Sequence, residues 1–166
     1  MRKLKIKIRV LCDKCRPEIS KKGEFIDLKS RERFYYDNSK CVNNMVNFKT
    51  FMIPLGVAME LPKGFEAVII PRSSTFKYFG IIESNSMGLI DNCYNGNQDE
   101  WKLPAVALRS GNIEVGDRVC QFKIQLSQKA TFIQKLNWLF SSGVELEFVD
   151  TLNNINRGGF GSTGKA

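Results

Sequence analysis

The feature that most constrains this chain is a set of runs in which apolar and polar residues strictly alternate. Leu4, Ile6, Ile8 and Val10 alternate with Lys3, Lys5, Lys7 and Arg9. Cys120, Phe122, Ile124 and Leu126 alternate with Gln121, Lys123, Gln125 and Ser127, and Val144, Leu146 and Phe148 alternate with Glu145 and Glu147. A period of two puts the apolar side chains of a run on one face, so each run reads as a half-buried strand. Residues 57–61 and 65–70 flank Pro62-Lys63-Gly64, where an early Pro and a following Gly fit the turn of a hairpin. Many short strands punctuated by turns predict an all-β sandwich or barrel.

Two stretches read as helical. Residues 73–79 fit a short helix ended by Gly80. Phe132, Ile133, Leu136 and Phe140 have helical spacing, with a strand as the alternative for so short a run. The chain has 166 residues, enough for one domain with a real core and too few for two comfortable ones. After Asp150 the composition shifts to Asn, Gly, Ser and Thr, so residues 1–150 are expected to form a single β domain. Residues 151–166 are then a flexible glycine-rich arm.

No stretch approaches the roughly 20 apolar residues of a membrane span, and residues 1–7 lack the apolar run of a signal peptide. A cytoplasmic setting without membrane contact is expected. Lys and Arg number 25 against 17 Asp and Glu, a formal charge of +8, which suits an anionic partner. No basic run is interleaved with aromatics, so nucleic acid is not the expected one. The five cysteines are an odd count without a secretion signal, which argues against a disulfide framework. Cys12-Asp-Lys-Cys15 has zinc-knuckle spacing but no second CxxC, and the chain has no histidine at all. Without histidine no Ser-His or Cys-His nucleophile can be built, so any hydrolysis must use a carboxylate, a metal or both.

Five segments carry chemistry. In the tail, Arg157-Gly-Gly-Phe160-Gly161-Ser162-Thr163-Gly164 combines glycines that let backbone N–H groups approach phosphate, two hydroxyls, a guanidinium and one aromatic ring that can stack on a base. The GK[ST] ending of a Walker A loop is absent. Pro71-Arg72-Ser73-Ser74 places hydroxyls at the start of the expected short helix, as an anion site or simply as a cap. Gly88-Leu-Ile90-Asp91-Asn-Cys-Tyr94 sets a carboxylate after apolar residues, where it can act as a general base or sit in a turn. Residues 116–121 enter a strand and aim Gln121 at one face, and Asp27 supplies a carboxylate beside apolar neighbours as a partner for a hydrated metal ion.

Residues 25–28, 71–74, 85–94, 116–121 and 157–164, in this order, resemble the five motifs of the trimeric dUTP pyrophosphatase (dUTPase) family, in its bacterial and phage form. The resemblance implies a jelly-roll-like β fold assembled as a homotrimer, whose shared active sites are closed by a neighbour's C-terminal arm. It implies Mg²⁺-dependent hydrolysis of dUTP to dUMP and pyrophosphate, with Asp91 activating the water that attacks the α-phosphorus. Asn85 and backbone groups of Gly88 and Ile90 would read the uracil edge, and the Tyr94 ring would pack on the sugar. Ser73, Ser74 and Gln121, supported by Arg72, would hold phosphate oxygens, and Asp27 would reach Mg²⁺ through water. Phe160 would stack on uracil while Gly161, Ser162, Thr163 and Arg157 close over the phosphates. Gly96-Asn-Gln-Asp99-Glu100-Trp101 lengthens the loop after Tyr94, and its two carboxylates are read as solvating a turn in preference to tuning the site. The alternatives are a dCTP deaminase-like enzyme of the same fold and a nucleotide-gated regulatory protein. A phage origin would add a regulatory protein partner.

Overall fold

The alternating runs form strands in the computed structural model, which describes residues 2–19, 23–37, 41–42, 45–46 and 48–159. In chain order the strands begin with β1 (Arg2–Val10), β2 (Ile26–Lys29), β3 (Phe34–Tyr36), β4 (Cys41–Val42), β5 (Met45–Val46), β6 (Lys49–Pro54) and β7 (Val57–Glu60). They continue with β8 (Phe65–Pro71), β9 (Ile81–Glu83), β10 (Gly88–Ile90), β11 (Lys102–Ala107), β12 (Gly111–Ile113), β13 (Arg118–Leu126) and β14 (Ser141–Phe148). Helix α1 (Thr75–Phe79) lies between β8 and β9, and α2 (Phe132–Leu139) between β13 and β14. The larger sheets run β14-β1-β7, β10-β8-β13-β2 and β6-β11-β9. This is the mostly β, jelly-roll-like architecture with short helices that the resemblance implies. No helix among the described residues is long and apolar enough to cross a membrane.

The inward faces are the predicted ones. Ile6 and Ile8 of β1 and Phe122 of β13 are buried, and Trp101 meets Phe122 edge to face at 5.1 Å. Full burial of one such side chain contributes roughly 1.5–3 kcal/mol. The expected hairpin does not form. β7 pairs with β1, and β8 pairs with β10 and β13, so Pro62-Lys63-Gly64 is a corner between two sheets. Val57, Ala58 and Met59 are all buried, so β7 is covered on both faces and lacks the alternation of a hairpin arm. β14 runs parallel to β1, with Ile6 opposite Leu146 and Ile8 opposite Phe148. Alternation predicts each strand but is silent about its partner or direction.

α1 begins two residues later than expected and ends at Gly80, whose φ of 64° lies in the left-handed region natural to glycine. The Thr75 hydroxyl accepts the Arg72 N–H at 2.9 Å and donates to the Val119 carbonyl at 2.9 Å, and the Ser74 side chain makes no cap hydrogen bond. α2 is a helix because Thr131 and Gln134 form a reciprocal capping box. The Cys12-Asp-Lys-Cys15 run is a 3₁₀ turn whose buried Cys15 thiol donates to the Ser30 carbonyl, and burial pushes that thiol up to about 12.

Glu83 on β9 is 7% exposed, and neither carboxyl oxygen makes a well-formed hydrogen bond. Burial pushes its pKa up to about 7, opposed in part by the Gly88 N–H. A fold that keeps an acid neutral loses stability as pH rises from the ordinary carboxylate value, because only the unfolded chain ionises freely. That loss begins near 4.5 and is complete above about 7. Glu83→Gln is therefore expected to raise stability by up to roughly 3 kcal/mol at pH 8 and by little at pH 4. Thermal melts at the two pH values check it, and an equal change at both would contradict the buried neutral acid.

Candidate active site

Asp91 stands where β10 leaves the sheet. β10 is a short apolar strand held against Ala67–Ile69 of β8, with Gly88 and Ile90 buried. The chain then turns back on itself: the Asp91 carbonyl accepts the Tyr94 N–H at 3.2 Å, and Asp91 Oδ1 accepts the Cys93 N–H at 3.1 Å. This is an Asx turn. The Asn92 amide fastens it to the sheet corner by donating to the Leu61 and Pro62 carbonyls, each at 2.9 Å.

Among the described residues the Asp91 carboxylate has three direct partners. Besides the Cys93 N–H, the Cys93 thiol donates to Oδ1 at 2.7 Å, and Arg157 Nη1 lies 2.9 Å from Oδ2. Partial burial works to raise its pKa, but the Cys93 thiol and N–H and then the Arg157 charge outweigh it, so the net shift is downward. Asp91 is ionised at neutral pH and half exposed, with 52% of its side chain open to solvent. That is what a base facing a small cleft requires.

Asn85, Gly88, Ile90, Asp91, Tyr94 and Arg157 line that cleft together, with Lys102, Gly158 and Gly159. The Tyr94 ring is buried beneath Gly159, and its hydroxyl donates to the Glu100 carbonyl at 2.9 Å. Burial first, then the Asp99 and Glu100 charges, push the phenol up to about 12, so it stays protonated.

The residues expected to meet phosphate lie apart from that cleft. Asp27 of β2 sits opposite Gln121 of β13, and Gln121 sits opposite Ile70 of β8. Arg72 Nε lies 2.8 Å from Asp27 Oδ1 and Arg118 Nη1 lies 3.2 Å from Oδ2. Ser73 and Ser74 follow Arg72 at the end of β8. None of Asp27, Arg72, Ser73, Ser74 or Gln121 lines the Asp91 cleft. Two guanidiniums around one carboxylate leave this cluster positive, which suits phosphate. The same arrangement makes a poor inner-sphere Mg²⁺ site, and no group of three or more His, Cys, Asp or Glu among the described residues could hold a metal. A hydrated Mg²⁺ would suit it better, since Asp27 could then accept from a water held by the metal.

The tail expectations divide. Phe160, Gly161, Ser162 and Thr163 lie outside the described residues. Arg157 is placed at Asp91, not in the cluster of Arg72, Ser73, Ser74 and Gln121. Asp99 and Glu100 are not solvated: they are 1% and 8% exposed. Glu100 accepts the Gly56 N–H and pairs with Arg31, and Asp99 accepts from the tail backbone. Cys93 and Arg118, which stand inside two of the five segments, also meet Asp91 and Asp27, and Lys102, which no sequence signal marks, lines the cleft.

The family model for dUTPase matches residues 26–164. The chain is 44% identical over 163 residues to a prophage-derived deoxyuridine 5′-triphosphate nucleotidohydrolase of Bacillus subtilis, covering 97% of this chain and 99% of that one. It is 36% identical over 115 residues to the deoxyuridine 5′-triphosphate nucleotidohydrolase of Finegoldia magna, covering 68% of this chain and 70% of that one. Among solved structures, its fold is similar to that of the dUTPase of Streptococcus mutans, with a TM-score of 0.62 at 21% identity over 75% of this chain and 98% of that one. With five motifs in register, a β fold shared with solved dUTPases and a family match over most of its length, the chain belongs to the dUTPase family.

Proposed function

We propose that this chain hydrolyses dUTP, as its magnesium complex, to dUMP and pyrophosphate, with Asp91 as the general base. The observation that carries this reading is the ionised Asp91 carboxylate, fixed by an Asx turn at the wall of a cleft that also holds Asn85, Gly88, Ile90 and Tyr94. Asp91 takes a proton from a water as its oxygen bonds to the α-phosphorus. The bond from that phosphorus to the bridging oxygen breaks, and pyrophosphate leaves. General-base help of this kind supplies on the order of 10²–10⁴ in rate. The rest must come from neutralising about four negative charges on the triphosphate, the work of Mg²⁺, guanidiniums and aligned N–H donors.

Asn85 and the backbone of Gly88 and Ile90 read uracil, and the Tyr94 ring packs on the sugar. Arg72, Ser73, Ser74 and Gln121 take phosphate oxygens, and Asp27 reaches the metal through water. These residues are apart from the Asp91 cleft within one chain, which supports a homotrimer in which one protomer's phosphate cluster faces its neighbour's base pocket. Residues 151–166 act as the arm that closes the site, with Phe160 on uracil and Gly161, Ser162 and Thr163 over the phosphates. Incubation with dUTP or dCTP, each with and without Mg²⁺, followed by chromatography, tests the reading. The expected products are dUMP and pyrophosphate from dUTP with Mg²⁺ only; release of ammonia from dCTP would overturn it.

A further inference from the structure

The CxxC run before β2 has no part in the proposed hydrolysis. Cys12 precedes a single 3₁₀ turn, Asp13–Cys15, which is closed by the Cys15 N–H donating to the Cys12 carbonyl at 2.8 Å. Side chains three apart eclipse in such a turn, and a rise of about 2 Å per residue sets their Cα atoms roughly 6 Å apart. A disulfide spans Cα separations of about 4.4–6.8 Å. The turn therefore presents two thiols at a separation that one S–S bond bridges.

The two sulfurs differ in their surroundings. Cys15 is fully buried, and its thiol donates to the Ser30 carbonyl at 3.3 Å. Gly56 closes the space beside it: a Cβ there would lie 2.6 Å from Cys15 Cβ and 2.7 Å from its Sγ. Burial first, and then the neighbouring Cys12, push the Cys15 thiol up to about 12, so it stays protonated. Cys12 is half-buried, so it alone of the pair meets small molecules from solvent. Structural zinc takes four ligands, and among the described residues no third His, Cys, Asp or Glu joins the pair. One reachable and one sheltered thiol set an order of reaction.

We propose that Cys12 and Cys15 form an oxidisable dithiol that takes a small disulfide, of the glutathione class, as its oxidant and closes to an intramolecular bridge. Cys12 attacks as the thiolate: its Sγ bonds to one sulfur of the small disulfide, whose S–S bond breaks and releases one thiolate. The Cys15 thiol then gives its proton to solvent, and its Sγ attacks the Cys12 sulfur and displaces the second thiolate. Two protein thiols are oxidised, and the small disulfide is reduced to two thiols. Closure takes the thiol donor from the Ser30 carbonyl, which keeps the Gly116 N–H at 2.8 Å. The Ser30 N–H still donates to the Asp117 carbonyl at 2.8 Å, so the join between β2 and the turn into β13 survives oxidation.

Variants assign the order of attack. Cys15→Ala is expected to hold a stable glutathione adduct on Cys12, because no second thiol displaces it. Cys12→Ser is expected to leave Cys15 unmodified, because that thiol is sheltered. An adduct on Cys15 in Cys12→Ser, or none on Cys12 in Cys15→Ala, would overturn the assigned roles. Should Cys15→Ala fail to fold, Cys12→Ser and the unmutated protein still decide. No readout needs dUTP turnover, so the outcome is independent of the activity proposed above.

The deciding experiment is peptide mapping of the folded, full-length protein after incubation with oxidised glutathione, with free thiols blocked by iodoacetamide before digestion. Trypsin cuts between the two cysteines, after Lys14, and spares Arg16-Pro17, so the bridge appears as residues 10–14 linked to residues 15–21. That pair is expected to exceed any Cys12–glutathione adduct by at least about tenfold, since a thiol in the same turn outcompetes millimolar external thiol. Dithiothreitol is expected to abolish it, and the oxidised protein is expected to run as one chain on a non-reducing denaturing gel. A persistent glutathione adduct on Cys12, a bridge to Cys41, Cys93 or Cys120, a band of two chains, or no reaction at all would each overturn the proposal.

Discussion

Replacing Asp91 by Asn is expected to lower kcat for dUTP by about 10²–10⁴ while KM holds or falls. The amide is nearly the shape of the carboxylate, and its oxygen can still accept the Cys93 N–H that makes the Asx turn. What is lost is the ability to take a proton from water. The Arg157 guanidinium loses its 2.9 Å partner and becomes available to a phosphate oxygen, so ground-state affinity has no reason to weaken. Steady-state kinetics with a direct binding measurement check the split between kcat and KM. Near-normal turnover would remove Asp91 as the base. The pH profile gives a second reading. The carboxylate of Asp91 lies below its ordinary range, so the base stays deprotonated to lower pH than a free aspartate would. The acidic limb attributable to it is expected below the ordinary aspartate range, with kcat/KM flat on the approach to neutral pH. A limb near pH 6 would assign the base to a different group.

Much of this site is legible in the sequence because its parts are local. Gly88, Ile90, Asp91 and Tyr94 fall within seven consecutive residues, and a short strand followed by an Asx turn places them with no long-range information. The strand faces of β1 and β13 are equally local, since the period of two fixes which side chains point inward. What fails is pairing. The corner at Pro62-Lys63-Gly64 looks like a hairpin until the partners of β7 and β8 are known, and those lie tens of residues away. Asp99 fails for the same reason. In sequence it is an acidic residue among Asn and Gln; its burial comes from Arg157 and Gly158, 58 and 59 positions downstream. Arg118 and Asp27 are 91 apart and meet only because β13 and β2 are neighbours in one sheet. The separation of the phosphate cluster from the Asp91 cleft is likewise a property of sheet order, with β10 at one edge of β10-β8-β13-β2 and β2 at the other.

Deleting residues 158–166 is expected to cut dUTP turnover by about 10²–10³, the loss typical of removing preorganised donors from a charged transition state, while leaving the β domain folded. The stability half follows from what remains. Leu152, 4% exposed, stays, as do the bonds from Gln98 to Asn156, from Asn97 to Leu152 and from Asn154 to Glu60. The cut removes from the described tail only the Gly158 N–H bond to Asp99 and the Gly159 contact with Tyr94. Tyr94 belongs to the apolar core with Phe122 and Trp101, but the cut removes only a backbone contact at its edge and no core side chain, so the melting temperature should move by no more than a few degrees. The activity half follows from where the tail runs. Gly159 covers the Tyr94 ring, so its loss opens the cleft to water just where the sugar is to pack, and the residues that follow are the ones expected to close over base and phosphates. Because a lid both holds the substrate and completes the site, kcat should fall and KM rise together, unlike the kcat-only loss expected of Asp91→Asn. Calorimetry beside steady-state kinetics separates the outcomes. Full activity without residues 158–166 would take the arm out of the reaction, and a collapsed melting transition would make it part of the fold.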